Sequence, residues 1–131
     1  MTDFHLGIVA LCDAAYRDDL TGKSVLAGVY SGPVVVTQFP ASFRAVFYIE
    51  LFLPDKLGHR LEIRSLVNGE VQGVATFKAR AADPDLPTVL LTPPRDLTLE
   101  APGEIQLTLS VDDDPPRALI VKQIRADSAG P

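Results

Sequence analysis

Few residues in this sequence could do chemistry: one cysteine, Cys12, two histidines, His5 and His59, and two short acidic clusters. A thiolate at Cys12 with His5 or His59 as base would make a nucleophilic pair. However, Cys12 closes an apolar run, where a free cysteine packs as a small hydrophobe. Zinc needs three or four ligands, and neither histidine has a second Cys or His at ligand spacing. His59, directly after Gly58, reads more simply as the first residue of a strand. Asp112, Asp113 and Asp114 form the one acidic run. Calcium takes six to eight oxygens in a closed shell, and three adjacent side chains cannot all point inward. With Pro115-Pro116-Arg117 following, the run reads as a solvated turn. Asp13, Asp18 and Asp19 beside Arg17 lack the alternating oxygens and trailing Glu of an EF-hand loop. There is no G-x-S-x-G elbow, phosphate loop or paired-carboxylate motif. The expectation is a non-enzymatic protein with no cofactor and no metal.

The whole-chain quantities narrow the class further. At 131 residues the chain is sized for a single domain, expected to span 1–131 with 126–131 as a flexible tail. Hydrophobic residues make up 47%, and mean hydropathy is +0.17, enough to drive a packed core without staples. The net charge of −5 opposes binding to a phosphate backbone, so nucleic acid is not an expected partner. The N-terminal apolar run lacks a basic flank and ends after about eight residues, too short to span a bilayer or to form a signal core. No membrane association and a cytoplasmic location are therefore expected.

The elements that must position these residues are strands. Ala45, Phe47, Ile49, Leu51 and Leu53 alternate with Arg44, Val46, Tyr48, Glu50 and Phe52, and Leu61, Ile63 and Val67 alternate with Arg60, Glu62 and Arg64. With Pro54 to Gly58 between them, these two stretches read as a long hairpin centred on 43–70. Asn68-Gly69 then predicts a type I′ turn into a strand over 71–79, with a bulge at Gly73. Upstream, 5–12 reads as the first strand, with Leu6, Ile8, Ala10 and Cys12 on one side. Residues 13–23 read as a polar connection, and 25–30 and 34–37 as two further strands. Downstream, Pro93-Pro94 splits extended pieces at 89–91 and 97–99. Ile105, Leu107, Leu109 and Val111 make a clean half-buried strand, and 118–124 the last one. Eight or nine short strands with no helix predict an all-β fold. An antiparallel two-sheet sandwich, immunoglobulin-like or jelly-roll-like, is the first reading, and a closed barrel the alternative.

Several apolar residues fall on faces that should be polar: Val46, Tyr48 and Phe52 on the strand carrying Glu50, and Leu66 beyond Arg64. Full burial of any one contributes about 1.5–3 kcal/mol, so each needs either a cover from the same chain or a partner. They are the candidate partner-binding face.

The order of these features resembles a family of small uncharacterised bacterial and phage proteins classed as a domain of unknown function. The likeness rests on Leu11-Cys12-Asp13, Thr21-Gly22-Lys23, Leu26-Ala27-Gly28-Val29-Tyr30, Phe39-Pro40, Gly58-His59-Arg60-Leu61, Asn68-Gly69-Glu70 and Pro102-Gly103-Glu104. It spans most of the chain, and Asp112 to Asp114 depart from it. The resemblance implies a β-sandwich and supplies no substrate or site residues. The functional expectation is an accessory or adaptor module acting by protein–protein contact or self-association. The alternatives are a structural subunit of a larger, phage-like assembly and a small-molecule or metal-binding sandwich.

Overall fold

The computed structural model describes residues 3–127. They form ten strands and no helix: β1 His5–Arg17, β2 Ser24–Val29, β3 Val34–Val36, β4 Ala41–Phe52, β5 His59–Val67, β6 Glu70–Ala79, β7 Thr88–Leu91, β8 Arg95–Leu99, β9 Gly103–Val111 and β10 Arg117–Ala126. Ala126 thus ends a strand, the Asp127 amide donates to the Val36 carbonyl, and the rest of the expected tail lies outside the described residues.

Two five-stranded sheets face each other. In the first, the order is β2-β1-β4, and the far edge of β4 is shared by β7 along Tyr48–Leu51 and β8 along Ala41–Ala45. Thr92 bridges the gap between these two partners: its Oγ1 accepts from the Phe47 amide at 2.9 Å, and its own amide donates to the Phe47 carbonyl. The second sheet runs β3-β10-β9-β5-β6, antiparallel except for the parallel β3–β10 pair. Between them lie Phe47, Ile49 and Leu51 of β4, Leu61 and Ile63 of β5, Leu97 and Leu99 of β8, and Ile105, Leu107 and Leu109 of β9, none more than 4% exposed.

The all-β reading holds with ten strands rather than eight or nine, β1 runs on through Arg17 into the expected 13–23 connection, and the central hairpin is not formed. The stretches 41–52 and 59–67 are not a hairpin: β4 pairs with β1, β7 and β8, whereas β5 pairs with β6 and β9. Residues 53–58 carry the chain from one sheet to the other. Alternation cannot separate the two cases, because two strands with apolar faces can lie side by side or face each other. A connection of this length easily spans the roughly 10 Å between packed sheets.

Two bulges set the phase of the remaining strands. On β1, Leu6 pairs with Leu51 and Val9 with Ile49, so Gly7 and Ile8 together oppose Glu50. The Ile8 amide turns to the Glu50 carboxylate at 3.2 Å. The phase shift buries Leu11 in the core and leaves Ile8 58% exposed, so the expected grouping of Ile8 with Leu6 is not formed. On β6 the extra residue is Gln72, beside the expected Gly73, since Ser65 pairs with Gly73 and Leu66 with Val71. Gln72 uses its freed side chain as a peptide mimic. Its Nε2 donates to the Thr98 carbonyl and its Oε1 accepts from the Thr98 amide, both at 2.8 Å, stitching the edge of β6 to β8 of the other sheet. The β5–β6 turn is type I′-like, with positive φ at Asn68 and Gly69.

The register makes a direct test. Ile63 is 2% exposed on the inner face and Arg64 is outside, paired with Glu62 at 2.7 Å. Ile63→Asp buries an unpaired carboxylate and is expected to abolish cooperative unfolding near ambient temperature. Arg64→Asp loses an exposed ion pair and should cost under about 1 kcal/mol in urea denaturation.

Candidate functional site

The most organised polar cluster surrounds His59 at one end of the sandwich. His59 opens β5 with its side chain 7% exposed. Its Nδ1 lies 2.6 Å from Asp112 Oδ2, on the β9–β10 turn, and its Nε2 lies 2.7 Å from Asp55 Oδ1, on the β4–β5 connection. The other oxygen of Asp112 accepts from the Arg60 amide at 2.9 Å, and the Asp112 amide donates to the Arg60 carbonyl. Asp55 Oδ1 also accepts from the Leu57 amide at 3.0 Å, an Asx-type turn. Hydrogen bonds donated to Asp112 and then Asp55 raise the imidazole above its ordinary range. The bond to His59 in turn holds the Asp55 carboxyl below the usual carboxylate range. Both ring nitrogens are therefore engaged.

This cluster places the sequence candidates for chemistry. His59 is the expected strand-start residue. Of the acidic run, Asp112 turns back onto His59 and Arg60, while Asp113 is 82% exposed and reaches Arg60 Nη1 at 3.3 Å. Asp112 and Asp113 hold positive φ, as a tight turn requires. Among the described residues, no group of three or more His, Cys, Asp or Glu side chains is arranged to hold a metal ion. In the other acidic loop, Asp18 Oδ1 accepts from the Leu20 amide, and the Asp18 and Gly22 amides close the turn. The Cys12 thiol donates to the Val46 carbonyl at 3.4 Å, and burial followed by the nearby Asp13 charge pushes its pKa up.

The four candidate partner-binding residues do not form one face. Val46 and Tyr48 are 2% and 7% exposed, although both point away from the main core. For Tyr48, groups of the β1–β2 hairpin come near the hydroxyl. β1 does not stop at Cys12 but runs to Arg17, so residues expected in a polar connection are strand. Ser24 and Arg17 pair at the far end of that hairpin, yet both act on the Tyr48 hydroxyl. Tyr48 pairs with Ala10, and seven residues of straight strand would place Arg17 roughly 23 Å away along β1. The hairpin must therefore curl over the outer side of β4, giving the first sheet its half-barrel shape. Beneath it Cys12, Val46 and Tyr48 make a second buried patch. The Tyr48 hydroxyl donates to Glu50 at 2.5 Å. Burial and then Glu50 raise its pKa, while Ser24 and Arg17 pull it the other way. Phe52 stays half-buried near the start of β1, across from His5.

Leu66 lies on the other sheet, half-buried on its solvent side. It stands in one cross-strand row with Val71 of β6, Gln106 of β9 and Val121 of β10. Val71 and Val121 are 47% and 46% exposed, and Val74, also 47% exposed, sits one row away opposite Arg64. The sequence reading missed these neighbours because only the register of three separate strand pairs aligns them.

The fold and its clusters define an all-β, two-sheet domain whose first sheet is a curled half-barrel. A family model, described as "Family of unknown function (DUF6941)", matches residues 7–122, and the chain belongs to that family. No curated protein matches. Among solved structures, a β-glucosidase from Erythrobacter marinus is similar over 94% of this chain at 11% identity and a TM-score of 0.40. The matched region is 15% of that enzyme, and a likeness this distant carries no functional argument.

The curl can be tested through the lone thiol. Gly28 sits opposite Asp13 at φ +67°, where a Cβ would overlap the Asp13 carboxylate. Gly28→Ala is expected to destabilise the hairpin by about 1–3 kcal/mol. Native-state labelling of Cys12 by a thiol reagent should accelerate accordingly, while wild-type protein reacts only slowly.

Proposed function

We propose that this protein is a non-enzymatic binding module that acts by protein–protein contact through the solvent side of the β3-β10-β9-β5-β6 sheet, centred on Leu66. The observation that carries this reading is the row Val71–Leu66–Gln106–Val121, in which Val71 and Val121 stand nearly half exposed on either side of half-buried Leu66 and Gln106. Ordinary solvated faces are polar at such positions, whereas interfaces place apolar groups centrally and charges at the rim. The paired Arg64 and Glu62, with Glu104 and Gln123, supply such a rim. The fate of the reactive side chains supports the same reading. The Cys12 thiol is spent on a carbonyl and both nitrogens of His59 on carboxylates, so these groups hold the fold together.

Leu66→Lys and Val121→Lys test this face, since both positions tolerate a long polar side chain without entering the core. In pull-downs from the source organism's lysate, a protein held by wild type should be lost on either change, with the melting temperature held within a few degrees. Retention of that protein by both variants overturns the proposed face. Light scattering on the same samples separates a foreign partner from self-assembly: concentration-dependent oligomers abolished by Leu66→Lys would move the reading to a structural subunit of a larger assembly.

A further inference from the structure

A neutral imidazole carries one N–H, so it can donate to one carboxylate but not to two. Both nitrogens of His59 lie within 2.7 Å of a carboxylate oxygen, a geometry that only the imidazolium satisfies. The two carboxylates come from different connections: Asp55 from the crossing between the sheets, Asp112 from the β9–β10 turn within the second sheet. His59 thus rivets the two loops together through its two ring nitrogens.

We propose that Asp55, His59 and Asp112 form a pH-operated clasp, closed while His59 carries its second proton and opened on the Asp55 side when that proton leaves. The Asp112 side stays because that residue is fixed independently, through its bonds to the Arg60 amide and carbonyl. Among the described residues, Asp55 has besides His59 the Leu57 amide of its own loop to hold it in place. When the proton leaves, a lone pair on Nε2 faces the Asp55 carboxylate, and attraction becomes repulsion. The loop 54–58 then loses its tie to β5, and Leu57, already 66% exposed, moves with it.

The other charges packed around His59 do not duplicate the clasp. Asp113 is drawn outward to Arg60, and the Arg80 guanidinium lies about 3.9 Å from where a Gly58 side chain would begin. The sign follows from linkage. The imidazole is raised in the folded protein, so its stabilising contribution is complete below the ordinary histidine value of about 6.5 and is lost as pH rises through the raised value. The Asp55 carboxyl is lowered, so its contribution is lost only as pH falls through that lowered value. The clasp is closed between these limits.

The experiment uses the full chain, labelled for NMR, as wild type and as Asp55→Asn. Asp112→Asn is avoided because Asp112 also anchors β5. Ring nitrogen shifts report the protonation of His59, and hydrogen exchange of the Leu57 amide reports the loop. In wild type, the imidazolium signature should persist above pH 6.5. Leu57 exchange, corrected for intrinsic base catalysis, should step up through the same midpoint. Asp55→Asn should lower the His59 midpoint and remove the step, whose size should be roughly tenfold for each unit the midpoint falls. A neutral His59 tautomer throughout the near-neutral range, or an exchange step unchanged in Asp55→Asn, overturns the proposal.

Discussion

The structure depends on a single constraint: β4 is apolar on both sides. Its inner residues, Ala45, Phe47, Ile49 and Leu51, need the second sheet, and its outer residues, Val46 and Tyr48, need something else. A flat two-layer sandwich covers each sheet once and would leave the outer pair in water. The chain resolves this by extending β1 to Arg17 and curling the β1–β2 hairpin over β4, with Gly28 taking the conformation that a side chain would resist. Leaving Val46 and Tyr48 uncovered would forgo several kcal/mol, at about 1.5–3 kcal/mol each, comparable with a domain's whole net stability. The half-barrel is a consequence of one strand's composition.

That constraint explains which parts of the fold were legible in the sequence. Local signals were read well. The alternation of β9, the Asn68-Gly69 turn, the bulge beside Gly73 and the split at Pro93-Pro94 each involve residues adjacent in the chain. What failed involved pairing between distant segments. Nothing in 41–67 says whether two alternating stretches are neighbours or opposites, because the core sees the same apolar face either way. Ile8 was grouped with Leu6 because a bulge opposite Glu50 cannot be seen from β1 alone. Val46 and Tyr48 stand out in the sequence as a candidate partner-binding face, but in the fold both are buried. The cover itself was hidden, since 13–17 is too polar to announce a strand and pairs outward with β2.

The candidate sites divide the same way. His59 was correctly placed at a strand start, yet its partners come from four residues before it and from a turn more than fifty residues after it. In the sequence, Asp112 is one of three adjacent carboxylates in a turn. The structure makes it different from Asp113, because Asp112 binds the His59 ring and the Arg60 backbone, whereas Asp113 meets the exposed Arg60 guanidinium. Leu66 was found from its own misplaced polarity, whereas Val71 and Val121 became part of the same patch only through the registers of β6 and β10.

The two proposed sites therefore lie at opposite ends of β5. At His59 the strand is tied on both sides by charge, in a cluster where every strong group has a partner. Seven residues later, at Leu66, the face is apolar and open, with polar groups pushed to the rim. A charged, mutually satisfied cluster has little free energy left to offer a partner, because binding would first have to break bonds already made. An exposed apolar row has the opposite balance: its side chains remain in water until something covers them, and covering them releases that cost. The physical case for docking thus falls on the Leu66 end, and the case for a response to solution conditions falls on the His59 end. Because β5 is hydrogen-bonded on both edges between them, the two ends are joined through a strand held in the middle of its sheet.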